Sequence, residues 1–200
     1  MNEDRATLEV VPVRHAETEW SINGRHTGLT DIPLTEAGRA TASALAGRLG
    51  EWRFERVLVS PLVRARETCE LCGLGERAEI CEDLHEWDYG DYEGLTTNEI
   101  RARRPDWDLW RDGCPGGESP EQVGARADRV LASVSALDGA VAAFSHGHML
   151  RVLGARWIEL PPAGGARLGL SAGAVGALGY ERDTRVLRLW NDASARHVLE

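Results

Sequence analysis

The stretch Gly139 to Ile158, GAVAAFSHGHMLRVLGARWI, decides the fold. Its first part, Gly139 to Ser145, is a short apolar run that reads as a buried strand. Met149 to Ile158 is apolar again and reads as a helix. Between them lie Ser145, His146, Gly147 and His148, polar residues at the join. A buried strand running directly into a helix is the repeating unit of a parallel α/β sheet. In open sheets of this kind, ligands bind where strands end and helices begin.

The same unit recurs along the chain. Leu8 to Val13 (LEVVPV) reads as a strand ending in Arg14 and His15, followed by a Gly/Asn/Pro-rich loop from Ser21 to Pro33. Thr35 to Leu49 places Ala37, Ala40, Ala44, Leu45 and Leu49 at helical spacing. Arg56 to Ser60 (RVLVS) is the next strand, and Ser60 is expected to cap a helix that has Pro61 at its first position and runs to about Leu74. Glu79 to Leu84 reads as an edge strand. From His85 to Gly117 the chain is irregular, aromatic and charged, with a short helix predicted around Asn98 to Arg103. Ser119 to Gln122 has the form of a capping box and opens a helix whose Val123, Ala127, Val130, Leu131 and Val134 share a face. Val175 to Tyr180 and Arg185 to Trp190 read as two closing strands. The pattern predicts one α/β domain over residues 1–200, a three-layer α/β/α sandwich with a mainly parallel central sheet, carrying an irregular insertion at 85–117 over the site.

Composition narrows the function. The 200 residues include 32 acidic and 23 basic side chains, every basic one an arginine, for a formal charge of -9. That balance argues against nucleic acid or an anionic membrane as the main partner. No apolar run approaches the ~20 residues of a membrane span, and the polar, acidic segment Met1 to Thr7 predicts no signal peptide. Leu62, Ala65, Cys69 and Cys72 fall on one apolar helical face, so this C-x-x-C reads as buried core and the compartment as a reducing cytoplasm.

The three strand ends carry Arg14 and His15, then Ser60 with Arg64 one turn on, then Ser145 to His148. Two guanidinium forks and helix N-termini at one sheet edge suit a dianion. A histidine there, with an ordinary pKa of about 6.5, is neutral at pH 7 and available as a nucleophile towards phosphorus. Arginines and a second histidine would stabilise the transferred phosphoryl group. A carboxyl group beside the phosphate keeps a proton for the leaving oxygen.

Arg14-His15-Ala16-Glu17-Thr18 resembles the R-H-G-E-T signature of the histidine phosphatase superfamily, in the branch that includes the cofactor-dependent phosphoglycerate mutases. Four further segments match in order: Gly28 to Thr35, Ser60 to Ala65, Leu84-His85-Glu86 with Gly90 and Glu93-Gly94 after it, and Ser145 to His148. The resemblance covers about Val11 to Ile158. It implies a phosphoglycerate-mutase-like fold and a phosphatase that needs no metal and no cofactor. It also implies that His15 is the nucleophile, that Arg14, Arg64 and His146 form the phosphate pocket, and that Glu86 is the proton donor. Asp88, Asp91 and Glu93 read as structural or surface acids.

Ala16 stands where the family has glycine, whose use would be a positive φ or close approach to the phosphate. That departure keeps a non-catalytic phospho-ligand binder as an alternative. Mutases of the superfamily have an asparagine in a W-N pair and a lysine for the substrate carboxylate, whereas this chain has Trp20-Ser21 and no lysine. Hydrolysis is therefore favoured over phosphoglycerate mutase-type transfer. Glu86 to Gly94, Trp110 to Cys114 and His146 to Arg151 are similar to segments of sedoheptulose-1,7-bisphosphatase-type members, which implies a small sugar phosphate or bisphosphate as substrate. Ser21, Thr27, Gly28, Tyr89, Gly147 and Arg151 are the residues expected to meet it, with Trp87, Trp107 and Trp110 as an apolar wall or as packing beneath the insertion. The sequence leaves oligomeric state unread.

Overall fold

The structure, a computed structural model, describes residues 8–193. Six strands form one sheet in the order β3-β2-β4-β1-β5-β6. They are β1 (Glu9–Arg14), β2 (Phe54–Val59), β3 (Ala78–Ile80), β4 (Ala140–Ser145), β5 (Val175–Glu181) and β6 (Thr184–Asp192). The first four run parallel, and β5 turns antiparallel to both β1 and β6. The sheet is thus mostly parallel, as the strand–helix alternation predicted, with an antiparallel margin from the closing pair.

Successive side chains of a strand point to opposite faces, and two cores follow. Val11, Val13, Val57, Val59, Ala142 and Phe144 pack on one face against Leu45, Leu49, Ala65 and Cys69. These belong to α2 (Glu36–Leu49) and α3 (Val63–Leu71). Val10, Leu58, Val141 and Ala143 face the other way. They meet Val123, Val130, Met149 and Leu153 of α6 (Pro120–Val134) and α7 (Gly147–Trp157). The three-layer arrangement rests on this alternation. Trp87, Tyr89, Trp107 and Leu109 are buried in the second core, so the 85–117 segment is part of that layer. It includes α4 (Thr97–Arg103), opened by a Thr96–Glu99 capping box, and the short α5 (Leu109–Asp112). Trp87 and Trp107 are fully covered, while Trp110 is partly exposed.

Several boundaries differ from the sequence reading. The expected loop from Ser21 begins inside a one-turn helix, α1 (Glu19–Ile22), which Thr18 and Ser21 close reciprocally as a capping box. Ser60 does not cap α3: that helix starts at Val63, its N-cap position is Leu62, and no side chain of that residue caps it. The α3 helix stops at Leu71 because Gly73 takes φ +77°, a left-handed turn that glycine adopts without steric cost. β3 is shorter than expected, giving way to a 3-10 turn over Glu82–Leu84. Among the described residues, no helix is long and apolar enough to cross a membrane.

Register places the site. Arg14 pairs with Ser145 and Val59 with Phe144. The ladder extends one residue further: His15 N–H donates to Ser145 O at 2.9 Å and Ser60 N–H to Phe144 O at 2.9 Å. His15, Ser60 and His146 therefore leave three adjacent strands at one level.

Candidate active site

His15 is buried, and its Nδ1 lies 2.7 Å from the carbonyl oxygen of Ala16. A carbonyl only accepts, so Nδ1 carries the hydrogen. Burial, then the nearby charges of Arg64 and Arg14, push the His15 pKa well below its ordinary value. The ring is neutral at pH 7, and Nε2 holds its lone pair. Beside it, Arg14 donates through Nη1 to Leu170 O, while its Nε is buried with no hydrogen-bond partner in the described structure.

His146 stands 5.2 Å from His15, ring centre to ring centre. Arg64, fully buried, donates through Nε to His146 Nδ1 at 3.1 Å. The other ring nitrogen, Nε2, then bears hydrogen and donates to Ser60 Oγ at 2.7 Å. Burial and the charge of Arg64 hold this histidine neutral too. The Arg64 fork extends to the carbonyls of Thr27, Gly28 and Thr30 at 3.1, 2.8 and 3.0 Å.

Glu86 is buried at the start of α7. Its Oε1 accepts from the backbone N–H groups of Trp87 and Met149 at 2.9 and 2.8 Å, and Oε2 from His148 N–H at 3.0 Å. Asp31 does the same at α3, accepting from Val63 N–H at 2.7 Å. Both helix starts that the sequence offered to an external anion thus hold a carboxylate of the chain itself.

Only some of these groups border the adjoining cavity of about 90 Å³. Arg14, His15 and Glu86 line it, together with Ser21, Thr27, Tyr89, Gly147 and Arg151 of the expected substrate residues. Arg64 and His146 are packed behind His15. Gly28 also stands behind the wall, where its N–H is held by Glu93 at 2.9 Å and an added Cβ would fall 2.6 Å from Glu93 Oε2. Glu93 is structural in that sense, and Asp88 likewise accepts from Gly90 N–H at 2.9 Å. The Ser21 hydroxyl is engaged with the Thr18 backbone in the α1 cap. Gly147 lets the chain pass Arg14 closely, since a Cβ there would lie 3.2 Å from Arg14 Cζ.

Arg25, His26, His148 and Leu170 also line the cavity, and of these the sequence reading places only His148 at the sheet edge. His26 is held neutral by burial, its pKa lowered to about 4, and sits 4.7 Å from the Tyr89 ring. Tyr89 and His148, both neutral because they are buried, share a 2.6 Å hydrogen bond. His148 was visible in the S-H-G-H run. His26, next to the matched segment that begins at Gly28, had no comparable signal.

Ala16 meets no difficulty. It does not take a positive φ, and its methyl lies in a small core with Leu34 and Ala42, away from the cavity.

The sequence profile of the histidine phosphatase superfamily (branch 1) matches residues 10–193. The chain belongs to that superfamily. This histidine phosphatase is 44% identical over 181 residues to an acid phosphatase of Mycobacterium tuberculosis, covering 88% of each chain. It is 37% identical over 190 residues to the sedoheptulose 1,7-bisphosphatase of Saccharomyces cerevisiae, covering 77% of this chain and 69% of that one. A solved structure of an open-reading-frame product of Mycobacterium tuberculosis superposes with a TM-score of 0.88 at 40% identity, over 92% of this chain and 97% of the other. The protein is an enzyme, a phosphatase of small phosphate esters.

Proposed function

We propose that this histidine phosphatase hydrolyses phosphate monoesters of small metabolites, sugar phosphates and bisphosphates foremost, through a phosphohistidine on His15. The observation that carries the reading is the Nδ1–H contact of His15 with Ala16 O in a neutral, buried ring, which leaves Nε2 as the lone-pair atom beside Arg14. In the first step the Nε2 lone pair forms a bond to phosphorus as the bond to the ester oxygen breaks. Glu86 gives that oxygen its proton. In the second, the Glu86 carboxylate takes a proton from water, whose oxygen attacks phosphorus, and the N–P electron pair returns to Nε2. The Arg14 guanidinium, which lines the cavity and is anchored through Nη1 to Leu170 O, supplies a fixed donor to the phosphoryl oxygens. Arg64, hydrogen-bonded to the neutral His146, places positive charge behind His15. Of the two Glu86 oxygens, Oε2 has one N–H partner against two for Oε1 and is the one with room for the transferred proton.

Arg151 favours substrates with a second anionic or hydroxyl group. It lines the cavity, stacks 4.5 Å over Trp110 and holds the carbonyls of Gly165 and Ala166 through Nε and Nη2. Its Nη1 makes no hydrogen bond among the described residues and is the donor for a second phosphate. A cytoplasmic location belongs to the same reading, with Cys69, Cys72, Cys81 and Cys114 all free thiols.

The test is to quench the enzyme during turnover of a labelled ester. The protein is expected to carry phosphate that is labile to acid and stable to alkali, and His15→Ala to lose both label and turnover, with chelators changing neither. Unchanged hydrolysis in His15→Ala overturns the reading.

A further inference from the structure

Arg126 of α6 is buried and far along the chain from Glu86, yet its guanidinium is wrapped by the segment that presents Glu86. Nη1 donates to the carbonyls of Asp83 and His85 at 2.7 and 3.0 Å, and Nη2 reaches that of Glu86 at 3.4 Å. Nε and Nη2 also grip the Glu118 carboxylate in a fork, both at 2.8 Å. Glu118 in turn accepts from Asp88 N–H at 3.0 Å through Oε2, and its own backbone N–H donates to Asp88 O at 2.9 Å. Its carbonyl receives Trp87 Nε1–H at 3.0 Å. The backbone on both sides of Glu86 is therefore fixed by one ion pair, which is 7% and 15% exposed at its two side chains.

We propose that Arg126 and Glu118 are positioning residues for the proton-transfer step: their ion pair sets the depth and direction of Glu86 without touching substrate. This inference rests on Glu86 being the acid. Bidentate guanidinium–carboxylate pairs fix geometry in two dimensions, which a single ammonium or a neutral amide does not reproduce. Arg126 contacts the Glu86 backbone, whereas the Glu86 side chain is held separately by the α7 amides. Loosening the clamp leaves a carboxyl group that is present but misplaced relative to the leaving oxygen. Small displacements of this kind cost rate steeply.

The signature is selective. An alkyl ester needs a proton on its leaving oxygen, whereas a 4-nitrophenyl ester departs as a stable anion and needs little help. We would measure kcat/KM for 4-nitrophenyl phosphate and for glycerol phosphate in Glu86→Gln, Glu118→Gln and Arg126→Met. The ratio of the two constants does not depend on how much of a sample is folded. Glu86→Gln is expected to depress the alkyl/aryl ratio by about a hundredfold. Glu118→Gln and Arg126→Met are expected to depress it by about tenfold or more, with Glu118→Gln, the milder change, carrying the test if Arg126→Met does not fold. If Glu86→Gln shifts the ratio and the clamp variants lower both constants equally, the pair is merely structural and the proposal falls. If Glu86→Gln leaves the ratio unchanged, the assignment of Glu86 as acid fails, and the proposal with it.

Discussion

Nε of Arg64 donates to Nδ1 of His146 across 3.1 Å, and this contact dictates the proton positions of the neighbouring ring. A guanidinium never accepts, so His146 is neutral with hydrogen on Nε2, and that hydrogen goes to Ser60 Oγ at 2.7 Å. Both residues are fully buried. Replacing Ser60 by alanine strands a buried donor, which costs about 1–3 kcal/mol. Urea denaturation of Ser60→Ala is expected to show a loss of this size, and an unchanged midpoint would contradict the assigned tautomer.

Acidification should weaken the fold for a related reason. His15, His146 and His148 have pKa values well below 6.5 in the folded protein, and His26 titrates near 4, all chiefly through burial. Between 6.5 and those lower values the unfolded chain binds more protons than the native one. Stability therefore rises with pH across this window and is lost as pH falls, by about 1.4 kcal/mol per unit for each histidine involved. Denaturation midpoints at pH 7.5 and 5.0 measure it. Equal stability at the two values would be inconsistent with neutral buried rings.

His15 itself can be followed directly. Its imidazole signal in an NMR titration of the free enzyme is expected to stay that of the neutral Nδ1–H form from pH 7.5 down through 6. A protonation midpoint at 6.5 or higher would remove the argument for Nε2 as a ready nucleophile.

Glycine at position 16 should not improve the enzyme. The methyl group packs with Leu34 and Ala42, and the backbone there does not require a left-handed conformation. Ala16→Gly is expected to keep kcat/KM within about twofold while losing roughly 1 kcal/mol of stability, from the buried methyl and the added freedom of the unfolded chain. A tenfold gain in activity would mean that Ala16 does crowd the phosphate.

Gly28 is less tolerant. An added Cβ would sit 2.6 Å from Glu93 Oε2 and 2.7 Å from Trp87 O, and the Gly28 carbonyl anchors Arg64. Gly28→Ala is expected to cut kcat/KM by on the order of 10–100-fold by shifting that anchor. Wild-type kinetics in this variant would show that the loop gives way freely.

The sheet and the inner group of the site were legible for a local reason. Apolar runs ending in Arg14-His15, in Ser60 and in Ser145-His146 announce both a strand and what stands at its end, and parallel pairing then brings the ends together. What escaped the sequence is long-range and made by side chains reaching backbone. Nothing near Glu86 or Asp31 signals that their carboxylates dock on the amides of distant helices. Ser60 before Pro61 has the local chemistry of a cap, yet it serves a histidine 86 positions away. The 85–117 segment looks irregular because its aromatic residues are buried through tertiary packing, with no helical or strand period to reveal it.

The place of Arg14 beside His15 in the cavity wall has a bearing on how the enzyme handles its own product. A guanidinium at the wall of a small cavity attracts any tetrahedral oxyanion of the right size, whether or not it carries a leaving group. If Arg14 receives the ester as proposed, inorganic phosphate, the molecule released in every cycle, would meet the same donor. Added orthophosphate is therefore expected to slow initial rates by competing with the ester, and rates that ignore millimolar phosphate would speak against that consequence.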